Sequence, residues 1–313
     1  MSDKTIECPQ CEGTGKWITE NSPEGRTCVN CDGKGTIKNP SKAQMMDLKH
    51  VAKETLKIIK KGSYRNKNGQ KVRIKDDINS ARENTFLYSP AALDHIFKAI
   101  LPFTRSQTEV TVTDESSQQA AYRLSKSGST IMLNFASAKS AGGGFINGRI
   151  AQEEDICRCS SLYDCIAPQK LYYNIKHTNT LYSRHLIYSP AVPFFRTKGT
   201  DMPDTFFLCS VITSAAPNAG AYVETPENIG ALNATIILKI RDVLTIAKAK
   251  GYTNLVLGAW GCGVFKNDPK EIAAAFNYYL NSKEFRNYFE EICFPIYGDK
   301  NGKVTSIFKK ELL

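Results

Sequence analysis

Histidine and tryptophan are scarce in this chain, four and two among 313 residues. His50, His95, His177 and His185 show no pairing with a serine or cysteine nucleophile, so the sequence gives no support to histidine-driven acyl transfer. No apolar run nears the roughly 18 residues of a membrane-spanning helix. The first residues, MSDKTIECPQC, lack the basic start and apolar stretch of a secretory signal. A cytoplasmic location without membrane attachment is therefore expected, and separately a monomer. Internal repeats are missing apart from two short cysteine knuckles. What remains is ordinary for a globular protein: 42% hydrophobic and 23% charged residues, in a chain long enough to bury a large core and carry a small second unit.

Acidic residues are outnumbered, and the formal net charge is +10. Between Ser41 and Glu83 lie Lys42, Lys49, Lys53, Lys57, Lys60, Lys61, Arg65, Lys67, Lys71, Arg73, Lys75 and Arg82. They face only Asp47, Glu54, Asp76, Asp77 and Glu83. Such a run attracts nucleic acid or another polyanion through counterion release. The preferred reading is a solvated helix face followed by a lysine-rich loop, which needs no partner.

Ten cysteines in a chain expected inside the cell point away from a disulfide framework. Cys8, Cys11, Cys28 and Cys31 form two CxxC pairs separated by sixteen residues, the spacing of a four-thiolate zinc site. Each pair sits in the same pattern, CPQCEGTG and CVNCDGKG, whose glycines permit tight knuckle turns. One structural zinc is the natural count. About forty residues with so few apolar groups have too small a core to fold without a staple. Redox chemistry at CxxC wants a βαβ context that is not seen here. The CxxCxGxG pattern resembles the zinc-binding repeats of J-domain co-chaperones, reduced to one pair of knuckles. Docking of nucleic acid or protein by this module is a further expectation.

The stretch Asn134 to Glu154, NFASAKSAGGGFINGRIAQEE, carries the chemistry. An apolar strand runs into Gly142, Gly143 and Gly144 and, after seven intervening residues, into Gln152, Glu153 and Glu154. Consecutive glycines remove every Cβ from one turn, so the backbone can approach a charged ligand and aim several amides at it. A phosphate-sized cradle beside paired acids suggests hydrolysis of something that carries a diphosphate. A second glycine-rich turn, 258–265 within LGAWGCGVF, comes directly after another strand, where it could clamp the same diphosphate from the other side. Taken alone, Glu153 and Glu154 read as the acidic first turn of a helix.

The triple glycine followed by Gln-Glu-Glu resembles the signature of poly(ADP-ribose) glycohydrolases. NFASAKSAGGGF, QEEDICRCSSLY, YSPAVPFFR, ITSAAPNA and GAWGCGVFKNDP look like successive blocks of the microbial-type family. AKETLKIIKKGSY and NTFLYSPAAL are similar to its N-terminal extension. The resemblance covers about Ser41 to Leu313, so the expected units are 1–39, a zinc module, and 40–313, a macrodomain with a helical extension. It implies a three-layer αβα fold and hydrolysis of ribose O-glycosidic bonds in ADP-ribose polymers or ADP-ribosylated macromolecules, without a catalytic cofactor. By resemblance Glu154 is the acid that protonates the leaving oxygen and then activates water. Glu153 and Asn134 hold the ribose, and Gln152 completes the loop's hydrogen bonding. Gly142, Gly143, Gly144 and Phe145 with Gly261, Cys262, Gly263, Val264 and Phe265 line the substrate, Phe265 near the distal ribose. Ser137 stands where many relatives have asparagine. A non-catalytic ADP-ribose reader and an eraser of ADP-ribose on nucleic acid are the alternatives.

Hydrophobic periodicity fits an α/β class with a mixed sheet covered on both faces. A helix starts after Ser41 and ends at Gly62, and Asn68 and Gly69 make a turn. Another helix spans Ser89 to Leu101. Strands are expected at Glu109–Thr113, Thr130–Phe135, His185–Tyr188, Phe206–Thr213, Asn254–Leu257 and Ile292–Tyr297. Helices are expected at Ser117–Lys126, Glu153–Cys165, Ile229–Lys250 and Pro269–Asn281. The blocks NFASAKSAGGGF, ITSAAPNAG and GAWGCGVF should converge at the carboxyl ends of neighbouring strands.

Overall fold

A computed structural model describes residues 5–7, 16–19, 22–27, 36–38, 42–103, 107–199, 202–222, 225–299 and 301–313. It opens with two short antiparallel ladders. Strand β1 (Thr5–Glu7) pairs with β4 (Thr36–Lys38), and β2 (Lys16–Thr19) pairs with β3 (Ser22–Thr27). Cys8, Cys11, Cys28 and Cys31 lie outside the described residues, as does Ser41.

Helix α1 (Lys42–Lys61) stops at Gly62, which turns back with φ of +66°. Only glycine fits there, since a Cβ would sit 2.4 Å from the Cβ of Lys75. A hairpin of β5 (Ser63–Arg65) and β6 (Lys71–Arg73) turns about Asn68 and Gly69 and leads into α2 (Lys75–Glu83). Strand β7 (Phe86–Tyr88) and α3 (Pro90–Ala99) follow, the helix capped by Ser89, whose Oγ accepts from the Ala92 amide.

The main sheet adds β8 (Glu109–Thr113), β9 (Thr130–Phe135), β10 (Leu186–Phe194), β11 (Phe207–Ser214), β12 (Asn254–Val256) and β13 (Glu291–Pro295). Its order is β7-β10-β11-β9-β12-β13-β8. The β7-β10 and β10-β11 pairs are antiparallel, the rest parallel. The helices around it are α4 (Ser117–Leu124), α5 (Gln152–Cys159), α6 (Leu162–Ile166), α7 (Lys170–Tyr173), α8 (Pro226–Ala249), α9 (Pro269–Leu280) and α10 (Lys303–Leu312).

Successive residues of the inner strands point to opposite faces, and both faces are dry. Ile131, Leu133, Ile212, Leu255 and Phe294 join a core with Ile240 and Leu244 of α8 and Phe276 of α9. Met132, Val211, Val256 and Cys293 join a second core with Leu124 of α4 and Ile156 of α5. The mixed sheet is thus sandwiched between helices, the expected three-layer α/β arrangement.

Three local features depart from the sequence pattern. The single helix expected over Glu153–Cys165 is two, α5 and α6. Ser160 between them is extended (φ −143°, ψ 179°) and bridges to Phe194, while its Oγ donates to the Ile156 carbonyl at 2.8 Å. Strand β10 runs six residues past Tyr188 despite Pro190, because a bulge between Ser189 and Val192 absorbs the missing donor. There Ala191 takes φ of +45° and sends its amide to Ser210 Oγ at 2.8 Å. Elements α2, β7, α7 and α10 lie outside the expected set; β7 and α7, of three and four residues, are too short to show a period.

Candidate functional site

Strands β11, β9 and β12 are parallel neighbours, so the segments that leave their carboxyl ends, 215–220, 136–144 and 258–265, emerge on one edge of the sheet. The three blocks predicted to converge do so.

The carboxylate centre forms where α5 starts. Asn134, fully buried at the end of β9, donates from Nδ2 to Glu153 Oε1 and to Thr213 Oγ1, each at 3.2 Å. The Ser137 amide donates to Glu153 Oε2 at 2.8 Å. Ser137 Oγ in turn accepts from the amides of Lys139 and Ser140, so a serine suffices to shape this bend. Gln152 is a strut: its Oε1 accepts from the Phe135 amide at 2.8 Å, and its Nε2 donates to the Leu133 carbonyl at 2.8 Å. These bonds register the helix start against the strand end, and both glutamates follow from that register.

Glu154 Oε1 accepts the Gly144 amide at 2.9 Å. Gly143, with φ of +55°, lies directly beneath the acids. A Cβ on it would stand 2.5 Å from Glu154 Oε1 and 3.3 Å from Glu153 Oε2. Gly142 is equally confined, because its Cβ would press on the rings of Phe145 and Tyr163. The triple glycine therefore makes room for carboxylates above and for aromatic packing below.

Glu153 is 3% exposed. Burial pushes its carboxyl up to about 8, against the opposing pull of the Ser137 and Asn134 hydrogen bonds. It is thus protonated near neutrality unless a ligand supplies further donors. Asn134 Oδ1 has no partner, and a bound hydroxyl could serve it.

The second loop is built differently. Trp260 is fully buried and donates from Nε1 to the Ser214 carbonyl at 3.2 Å. Gly261, with φ of +74°, lets Asn267 approach; a Cβ would meet Asn267 Nδ2 at 2.3 Å. Asn267 Nδ2 donates to the Pro217 carbonyl at 2.8 Å and to the Gly261 carbonyl at 3.2 Å, tying 258–265 to 215–220. Gly263 and Val264 project outward, Val264 being 81% exposed. Phe265 packs its ring on Tyr182 and accepts the Gly220 amide on its carbonyl.

Two of the predicted substrate-lining residues keep their side chains in the core. Phe145 is fully buried in the core with Tyr163 beneath the glycines, so its ring supports the loop from below. Cys262 is also buried, and burial pushes its thiol up, which makes it a packing residue. Sequence reasoning missed Thr213, Asn267, Tyr182 and Lys239. Lys239 is buried under the loops, donating to the carbonyls of Ala215 at 3.0 Å and Ser183; burial lowers its ammonium to about 7. No local motif announces these residues, because their partners lie far away in the chain. Glu115, just after β8, is paired with Arg123 at 2.9 Å. Among the described residues no cluster of three or more His, Cys, Asp or Glu could hold a metal, and no helix is long and apolar enough to cross a membrane.

Residues 52–197 match the family model described as the catalytic domain of microbial-type PARG. No curated protein matches the chain. The crystal structure of poly(ADP-ribose) glycohydrolase from Thermomonospora curvata is 33% identical, with a TM-score of 0.81 over 85% of this chain and 99% of that one. The same enzyme bound to the inhibitor ADP-HPD gives 0.78. Poly(ADP-ribose) glycohydrolase from Deinococcus radiodurans in complex with ADP-ribose is 37% identical, with a TM-score of 0.69 over 77% of this chain and 98% of that one. With this sheet, these loops and this degree of identity, the chain belongs to the microbial-type poly(ADP-ribose) glycohydrolase family.

Proposed function

We propose that this poly(ADP-ribose) glycohydrolase cleaves ribose O-glycosidic bonds with Glu154 as its proton-transfer residue. The observation that carries the assignment is the convergence of both carboxyls over Gly143, with Glu154 held by the Gly144 amide. Breaking the bond at the anomeric carbon builds oxocarbenium character on ribose, and the departing oxygen needs a proton. Glu154 supplies it, then takes a proton from the attacking water. Adjacent glutamates on one helix turn cannot flank a sugar from both faces, so one acid serves both steps. Glu153 and Asn134 receive the ribose hydroxyls: the hydroxyls would add hydrogen bonds at the buried carboxyl and donate to Asn134 Oδ1. Amides of 142–144 and 261–265 cradle the diphosphate, with Phe265 beside the distal ribose.

Glu154→Gln tests this. Release of ADP-ribose from polymer should fall by roughly 10²–10⁴-fold while ADP-ribose still binds in calorimetry. Unchanged turnover would return the chain to the reading of a mere ADP-ribose reader.

We also propose that 1–39 is a separate module holding one zinc through Cys8, Cys11, Cys28 and Cys31. The register supports this, since Glu7 pairs with Thr36 and Lys16 with Thr27. Both cysteine segments, 8–15 and 28–35, therefore leave from one ladder and arrive at the other. A metal-to-protein ratio near zero in protein purified without chelator would sink the proposal. The other six cysteines are free and buried, which fits a reducing compartment such as the cytoplasm.

A further inference from the structure

Helix α1 carries charge that nothing in the fold uses. Lys49, Lys53, Lys57 and Lys60 recur at intervals of four, four and three, and all are exposed. They form one stripe, about 16 Å long at 1.5 Å per residue. None is paired with a described acid. The acid in the middle of the helix, Glu54, is turned away and bonds the buried Arg196 at 2.7 Å.

The stripe lies on the catalytic side of the helix. Ala52 and Leu56, which adjoin the lysines around the helix, pack in the same core as Phe145 of the glycine loop. Ile58, on the flank toward Glu54, packs in a different core with Phe195. Between them Thr55 donates to the Arg158 carbonyl, and Arg158 Nη1 reaches the Arg149 carbonyl at 2.7 Å. Arg149 is exposed and folds its side chain over Gly144, the residue whose amide holds Glu154. Positive charge thus continues from the carboxylate centre across Arg149 toward α1.

We infer that the lysine stripe of α1 is a docking track for the part of an ADP-ribose polymer that lies beyond the unit being cleaved. The inference rests on the proposed function. A polymer with one unit in the cradle must lead its following diphosphates away over the neighbouring surface. An unpaired row of lysines beside the catalytic loop neutralises such phosphates and releases their counterions. Its place beside that loop favours the enzyme's own polymer over nucleic acid.

The test compares the full chain with a variant carrying Lys49→Gln, Lys53→Gln, Lys57→Gln and Lys60→Gln, all at exposed positions that leave the core intact. With long poly(ADP-ribose) at low salt, KM should rise about tenfold with kcat retained. The slope of log KM against log salt should flatten by roughly 0.7 for each lysine that meets a phosphate. With a small aryl glycoside of ADP-ribose, kcat/KM should not move. An unchanged polymer KM, or an equal loss on both substrates, overturns the track. Binding is measured separately with Glu154→Gln protein, so that failure of turnover and failure of docking are distinguishable. If single-stranded RNA of equal phosphate count competes as well as polymer, the stripe is a general nucleic-acid surface and the inference is wrong.

Discussion

The two glycine-rich loops at the sheet edge resemble each other in sequence and differ in what fills the space their glycines leave. Above Gly143 stand two carboxyl oxygens; against Gly261 stand the amide of Asn267 and the methyl of Ala216. One glycine makes room for reactive groups, the other for packing between loops. Damage to the first should therefore appear in kcat and damage to the second in KM. Gly143→Ala is the largest break in this contrast. The added methyl must displace Glu154 from a backbone with φ of +55° that alanine also resists. A misplacement near 1 Å at the reacting group costs about 10²-fold, so kcat should fall at least that far, with a modest change in melting temperature. Steady-state turnover of polymer beside a thermal melt would decide it, and retained kcat would refute the geometry.

Asn267→Ala probes the other loop. It leaves the Pro217 carbonyl without its side-chain donor and loosens 258–265 from 215–220. Leaving a buried acceptor unmet costs about 1–3 kcal/mol. Melting temperature should drop by several degrees at every pH, KM should rise roughly tenfold if the loop's binding contribution is halved, and kcat should hold. A variant that loses kcat and keeps KM would show that the two loops are not divided as their packing implies.

What could be read in advance follows the same division. The glycines and Glu153–Glu154 are contiguous, so one turn and one helix start hold the whole motif, and strand alternation exposed the sheet that presents it. The supporting residues were illegible for a physical reason. Thr213 meets Asn134 across 79 residues and Asn267 meets Pro217 across 50. Only the order of the strands brings them together. The burial of the Phe145 ring is not legible either, because an aromatic beside a ligand loop and an aromatic beneath one have the same sequence. The break at Ser160 was hidden because it is made by a bridge to Phe194, not by a local helix breaker. Asn267 shows this most plainly: it lies within GAWGCGVFKNDP, and nothing short of the fold reveals that it closes a gap between two loops.

The smallest effect separates the loops by pH. Glu153 titrates at about 8 in the fold, from a usual carboxyl value of 4.5, mainly because burial disfavours its charge. Between those values the folded protein holds a proton that the unfolded chain has lost. Stability must therefore fall as pH rises from about 4.5 to about 8, and level off above. Glu153→Gln removes this dependence. The amide replaces a carboxyl that is neutral over most of that range, and rotation of the Asn134 amide would let its unpartnered Oδ1 accept the new NH₂. At pH 5 the two proteins should melt together. At pH 8.5 the variant should melt higher by several degrees. Asn267→Ala should show no such convergence at low pH, because its loss involves no proton. Parallel melting curves for wild type and Glu153→Gln across pH 5 to 8.5 would mean that the buried carboxyl is not neutral in the unliganded enzyme. The ribose would then meet a carboxylate already charged, and binding of ADP-ribose would release no proton from it.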